Sequence, residues 1–149
     1  MADGILVSFT DATRDVLKLM LDLDAKSEKY SITDGTTEKL RVAVEITGDI
    51  KGKIYYWFPK DTVLEIVKIM SGMEISEVDD FASSAICEMA NIISGNAMNN
   101  LYERNFTCDI LPPEVSMDNK PVQGESAGAL VVTDIGVFNL DIVKNIVKL

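Results

Sequence analysis

The clearest hydrophobic pattern in the chain is helical and runs from Ser76 to Arg104. Apolar residues recur there every three or four positions, so they share one face when each residue is advanced by about 100°. The residues of this apolar face are Ala82, Ala85, Ile86, Met89, Ile93 and Ala97. Ser76 followed three residues later by Asp79 is typical of a capping box, and no Pro interrupts the segment. The pattern predicts one long amphipathic helix of about six turns.

A polar stripe lies roughly opposite the apolar face of this predicted helix. Its members, at spacings of four, three and four residues, are Ser84, Glu88, Asn91 and Gly95. Such spacings stack side chains along one side of a helix. If the apolar face packs on the domain, solvent meets a carboxylate and a carboxamide one turn apart, with a glycine beyond them that permits close approach. Any soluble amphipathic helix carries polar residues on its outer face. Periodicity alone therefore does not distinguish a functional site from an ordinary solvated surface.

Two shorter helices are predicted from the same kind of spacing. The first covers Phe9–Lys29 and directs a row of apolar residues toward the core. The second follows Pro59 and stops at Gly72, where glycine suits a helix C-terminus. The candidate N-caps are Thr10 or Asp11 for the first helix and Asp61 or Thr62 for the second. The first helix contains no Glu-x-x-Asn spacing, so it does not repeat the polar stripe.

Alternation of apolar and polar residues predicts the strands. Lys39–Phe58 alternates throughout and is expected to form two antiparallel strands joined by a two-residue loop at Gly48 and Asp49. Trp57 falls on the face opposite the main apolar row, where a helix, a second subunit or solvent could cover it. The remaining predictions are a strand over Phe106–Leu111 ended by Pro112 and Pro113, a polar loop over Glu114–Ser126, and a hairpin of Ala129–Thr133 and Val137–Val143. The fold class is α+β, and a helix followed by strands in each half hints at internal duplication.

Composition excludes several classes of function. A chain of 149 residues fits one domain, 1–149. Its 14 Lys and Arg against 24 Asp and Glu give a net charge of −10, which disfavours binding to nucleic acid or to anionic membranes. The N-terminus lacks the features of a signal peptide, and no apolar run approaches transmembrane length. Cys87 and Cys108 are expected to be reduced, mostly structural thiols. We expect a cytoplasmic protein.

The sequence lacks the common self-sufficient active sites. It contains no His, which excludes His-based triads, phosphohistidine intermediates and the usual zinc sites. Neither Cys87 nor Cys108 has an Arg six positions later, and no P-loop or GxGxxG is present. Asp79 and Asp80 could suggest a pair of metal ligands, but adjacent residues on a helix point about 100° apart. Their negative charges more simply stabilise the helix N-terminus. A partner would have to supply the missing chemistry.

The polar stripe resembles a known signature. Ser84, Glu88 and Asn91 continue as Ile-Ile-Ser-Gly-Asn-Ala, and Pro112 and Pro113 follow about twenty residues later. This run resembles the S/D-xxx-E-xx-N signature of the CheC/CheX/FliY family, whose members are phosphatases of the chemotaxis response regulator CheY. The order of elements over nearly the whole chain, with a single site, is similar to CheX. The resemblance implies an antiparallel sheet packed by a long site-bearing helix and shorter helices.

The resemblance also implies roles for the stripe. The substrate would be a phosphorylated CheY-like regulator, which holds its own aspartyl phosphate, Mg²⁺ and Lys. Asn91 would orient the attacking water, and Glu88 would pair with the regulator's Lys. This chain would bind no cofactor of its own, since Mg²⁺ belongs to the partner's site. The expected partner contacts are Ser84, Gly95 and Met98.

Two other interpretations stay open at this point. The chain could be a non-catalytic docking module for a chemotaxis or flagellar-switch partner, or a small dimeric domain with an unrelated ligand. The intact Glu88 and Asn91 pair favours a phosphatase over a docking module, which has no chemical need for both. Asn96 and Asn100 fall toward the apolar side, so structural hydrogen bonds are expected there. The resemblance to CheX also implies a homodimer with two separate, outward-facing sites, and we expect it to be joined through its sheets because an uncovered edge among the long apolar strands would be a liability.

Overall fold

The computed structural model describes residues 2–29, 38–118 and 126–144. Within these ranges the chain forms three helices and one seven-stranded antiparallel sheet. In chain order the elements are α1 (Ala2–Leu21), β1 (Lys26–Lys29), β2 (Lys39–Gly48), β3 (Gly52–Phe58), α2 (Lys60–Ser71), α3 (Asp80–Glu103), β4 (Cys108–Ile110), β5 (Glu114–Asp118), β6 (Ser126–Thr133) and β7 (Gly136–Lys144). The predicted α+β class is confirmed.

The strand order relates the two halves of the chain. The order is β1-β6-β7-β3-β2-β4, and β5 pairs with β2 on the same side as β4. Taken with β5 in place of β4, the order is β1-β6-β7-β3-β2-β5, and exchanging β1, β2 and β3 with β5, β6 and β7 reproduces it in reverse. The helices that precede the two strand sets, α1 and α3, pack against each other. This is the arrangement that an internal duplication would produce.

One face of the sheet and the apolar faces of the helices form the core. The sheet residues on that face, all buried, include Leu40, Val42, Val44, Ile46, Ile54, Tyr56, Phe58, Leu140 and Ile142. From α3, Ile86, Met89 and Ile93 pack into the same cluster with no exposed surface. Burying such a side chain stabilises the fold by about 1.5–3 kcal/mol. The apolar face of α3 therefore decides that its polar stripe points outward.

The long helix is shorter than its sequence pattern predicted. α3 begins at Asp80, and Asp79 has extended backbone and accepts a hydrogen bond from the backbone N–H of Ala82 at 2.9 Å. Asp79 is therefore the N-cap, and the predicted capping box starting at Ser76 is wrong. The Asp79 carboxylate accepts a hydrogen bond from a backbone N–H of the first turn that would otherwise lack a partner, and this stabilises a helix that starts at Asp80.

The other two helices also differ in their limits. α1 ends at Leu21, and the predicted helix over Phe9–Lys29 is wrong at both ends, because Lys26–Lys29 pairs as β1 with β6. Thr10, predicted as a cap, lies inside α1. α2 follows Pro59 without a side-chain cap, but ends at Gly72 in the left-handed conformation as predicted (φ 73°). Asp11, Asp61 and Thr62 also lie inside their helices, so all four predicted N-caps are wrong. The C-terminal limit of α1 depends on a distant partner, since Lys26–Lys29 pairs with β6.

The hairpin between β2 and β3 has a different loop from the one predicted. Ile46 pairs with Gly52, so five residues separate the paired positions and a two-residue loop is wrong. Asp49 is tied to the segment after α3, since its backbone N–H donates to the carbonyl of Thr107 at 3.0 Å and its carboxylate accepts from the Thr107 N–H at 2.8 Å. Pairing with β4 also extends β2 to Gly48. Tertiary contacts therefore override the local turn signal.

The C-terminal strands hold one further correction. β4 occupies Cys108–Ile110 within the predicted strand and stops before the two prolines. Glu114–Asp118, predicted as part of a polar loop, is strand β5 paired with β2, while residues 119–125 of that loop lie outside the described residues. The final hairpin is confirmed, with Thr133 paired to Gly136.

The strand order shows which strands lie at the edges of the sheet, and the burial of Trp57 shows that its second face is covered. The strands over Lys39–Phe58 are interior, and the outermost strands are β1 on one side and β4 and β5 on the other. β6 and β7 also lie inside the described sheet, so the predicted open edge on a long apolar strand is wrong. Trp57 is fully buried, with the Arg41 guanidinium 5.8 Å from the ring centroid.

None of the helices in the described ranges is long and apolar enough to cross a membrane.

Candidate functional site

The polar stripe of α3 is accessible along most of its length. Ser84 and Glu88 are exposed, and Asn91 and Gly95 are partly exposed. The opposite side of the helix is fixed by buried residues such as Met89 and Ile93. The predicted outward direction of the stripe is confirmed.

A surface groove of ≈ 370 Å³ runs beside this stripe. Its helical wall is formed by Asp80, Ser83, Ser84, Cys87, Glu88 and Asn91, and its other wall by Pro113 and Val115. The structure thus brings together three of the predicted site residues, Ser84, Glu88 and Asn91. The sequence pattern does not indicate this second wall, because it predicts Pro113 only as the end of a strand and Val115 as part of a polar loop. Val115 and Met117 alternate with polar residues, which was the available signal for a strand.

The functional groups of Glu88 and Asn91 are available for a partner. Within the described part of the chain, neither side chain forms a hydrogen bond or an ion pair. An exposed carboxylate and a carboxamide one turn apart can therefore bind complementary groups without first breaking internal contacts.

Cys87 lies in the same groove and is a free thiol. Burial raises its pKa, and the negative charge of Glu88 raises the pKa further. Because a thiol reacts as the thiolate, both effects hold Cys87 in its less nucleophilic form. Nothing in this environment activates Cys87 as a nucleophile.

The two other predicted partner contacts lie outside the lining of the groove. Gly95 faces open space, since a Cβ added there would have no atom within 4 Å apart from its neighbours and its own helix. Met98 is partly buried and packs against the core, so its role as a partner contact stays a prediction. Asn100 donates to the carbonyl of Ser8 at 3.0 Å, which confirms its expected structural role and ties α3 to α1.

Comparisons with known proteins identify relatives of this chain. A family model described as "Chemotaxis phosphatase CheX" matches residues 40–135. The CheY-P phosphatase CheX of Thermotoga maritima is 30% identical over 142 residues, which cover 93% of this chain and 88% of that protein.

Two solved structures share the fold. The chemotaxis protein CheX from Vibrio vulnificus has a TM-score of 0.83 at 19% identity, covering 95% of this chain and 99% of that one. The CheX–CheY–BeF3–Mg²⁺ complex from Borrelia burgdorferi has a TM-score of 0.73 at 23% identity, covering 93% and 96%. Since the family model spans more than half of the sequence, and the same family supplies a relative at 30% identity over most of it, the chain belongs to the CheX family of chemotaxis phosphatases.

Proposed function

We propose that this protein dephosphorylates the aspartyl phosphate of a CheY-like response regulator in the cytoplasm. The observation that carries the proposal is the placement of Glu88 and Asn91 in one accessible groove, with neither group engaged within the described residues. The relative named CheY-P phosphatase and the CheX bound to CheY support this choice of substrate class.

Asn91 is proposed to position the attacking water. Its carbonyl oxygen can accept a hydrogen bond from water while its NH₂ donates to a phosphoryl oxygen. The carboxamide carries no charge, so it does not repel the phosphoryl group as a carboxylate would. Phosphoryl transfer passes through a loose, in-line transition state, and positioning the nucleophile therefore supplies much of the rate gain.

Glu88 is proposed to anchor the regulator. The groove also contains Asp80, and the chain has a net charge of −10, so a phosphate group alone would be repelled from it. A partner that presents a Lys beside its phosphate supplies the missing positive charge and can pair with Glu88. The Mg²⁺ needed for the reaction would likewise arrive in the regulator's own site. The acidity of the groove thus selects a phosphoprotein over free phosphate esters.

Phosphate release tests the proposal directly. A CheY-like regulator encoded in the same genome is purified and phosphorylated, and its dephosphorylation is followed with and without this protein. We expect faster release in proportion to the amount of protein added. Binding of the phosphorylated regulator without faster release would instead identify a docking module, and no binding to any such regulator would contradict the proposed partner.

We also propose that the protein is a homodimer with two separate, outward-facing sites. This expectation rests on the family resemblance alone, since no long apolar strand lies at an edge of the described sheet. The stripe of Ser84, Glu88 and Asn91 must stay accessible for the regulator, so α3 is excluded as the dimer interface. Light scattering at low micromolar concentration would give twice the mass of 16.4 kDa. A monomer, or a dimer that buries Glu88 and Asn91, would contradict the proposal.

A further inference from the structure

A short chain of buried hydrogen bonds joins the sheet to α3 within one turn of Asn91. The hydroxyl oxygens of Tyr56 on β3 and Ser94 on α3 are 2.8 Å apart, and neither residue has exposed surface. The Ser94 hydroxyl also donates to the carbonyl oxygen of Ala90 at 2.8 Å. Ser94 is the only buried polar side chain on α3, which the structure describes over its whole length. Between α3 and β3 the contact is therefore surrounded by apolar side chains.

The direction of the two bonds follows from the available hydrogens. A carbonyl oxygen can only accept, so the single hydroxyl hydrogen of Ser94 goes to Ala90. The Tyr56 hydroxyl must then donate to the Ser94 oxygen. Burial raises the pKa of Tyr56 well above its usual value, so the phenol keeps the proton that it donates. The chain runs from β3 into the α3 backbone at the residue before Asn91.

This contact restrains α3 in a way that apolar packing does not. Hydrophobic burial is non-directional, so it fixes the rotation of a helix less sharply than a hydrogen bond does. A hydrogen bond weakens steeply with distance and angle. Ser94 and Asn91 are three residues apart, or about 60° around the helix axis. A rotation that breaks the bond to Tyr56 therefore also moves Asn91.

We infer that Tyr56 and Ser94 are positioning residues, which set the rotation of α3 so that Asn91 holds its water in line; the inference rests on the proposed function. A side-chain atom about 6 Å from the helix axis moves about 1 Å when the helix rotates by about 10°. A misplacement of about 1 Å can slow a reaction by about 10²-fold. A change of rotation too small to unfold the protein is thus large enough to slow catalysis.

The double variant Tyr56→Phe with Ser94→Ala separates positioning from stability. Ser94→Ala alone leaves the Tyr56 hydroxyl buried without a partner and should unfold at a lower temperature. The double variant removes both polar groups, so its thermal stability should return close to wild type. We expect its single-turnover rate constant at saturating enzyme to fall at least about tenfold, with the half-saturating concentration unchanged. If the polar pair were only structural, the rate would recover together with stability, and that result would overturn the inference.

A control and an independent measurement complete the test. Thr13→Val removes a comparable buried hydroxyl, 2.7 Å from the carbonyl of Phe9 on α1, and should leave the rate unchanged. The side-chain amide resonances of Asn91 report its surroundings without any substrate, and they should shift in the double variant. Unshifted resonances would overturn the inference whatever the activity. A wild-type protein that releases no phosphate from the regulator would refute the proposed function, while the Asn91 resonances would still decide the positioning.

Discussion

Gly95 offers a substitution that should strengthen the fold and weaken binding of the regulator. Gly inside a helix is less favourable than Ala by about 0.8–1.0 kcal/mol. A Cβ at Gly95 meets open space in the protein itself, so no clash offsets this gain. Gly95→Ala should therefore raise the melting temperature by about 2–4 °C for a chain of this size. A partner that packs closely on the helix would meet the added methyl group.

The cost of that contact can be estimated. Overpacking a close interface costs about 1–3 kcal/mol, which corresponds to a regulator affinity about 5- to 150-fold weaker. Gly95→Leu should weaken binding further while remaining folded. The matched control is Gly4→Ala in α1, where the added Cβ would lie 3.5 Å from Arg104, an ordinary contact. Calorimetric titration with the phosphorylated regulator measures the affinities, and unchanged binding by both Gly95 variants would remove Gly95 from the interface.

Three further predictions concern α3. Asn91→Ala should lower the single-turnover rate constant by at least about 10²-fold with little change in regulator affinity. The control Asn99→Ala, on the exposed side of α3, should behave as wild type. A normal rate for Asn91→Ala would exclude the water-positioning role. Glu88→Ala should weaken binding and reduce its salt dependence, unlike Glu103→Ala, and affinities insensitive to both the change and the salt would contradict the anchoring role. Asp79→Ala should destabilise the protein by about 1 kcal/mol in denaturant titrations, and an unchanged midpoint would show that the cap contributes nothing.

Strong periodicity was enough to predict several elements correctly. The 3.6-residue repeat through Ile86, Met89 and Ile93 predicted α3 and the outward direction of Glu88 and Asn91, because a helix buried on one side has no freedom about which side faces solvent. Alternation likewise predicted β2, β3 and the final hairpin. In both cases the burial of apolar side chains is large enough to decide the local structure.

Segments whose backbone hydrogen bonds go to distant partners depend instead on the packing of the whole chain. Lys26–Lys29 is exposed and polar, and Glu114–Asp118 alternates the exposed Val115 and Met117 with polar residues. Both segments become strands because β6 and β2 offer unpaired backbone groups beside them. The second wall of the groove exists for the same reason, since Pro113 and Val115 reach α3 only once β5 has paired with β2. The bond from Tyr56 to Ser94 spans 38 residues, a separation at which no sequence spacing indicates contact. Local periodicity fixed which side chains face outward, and long-range pairing fixed what surrounds them.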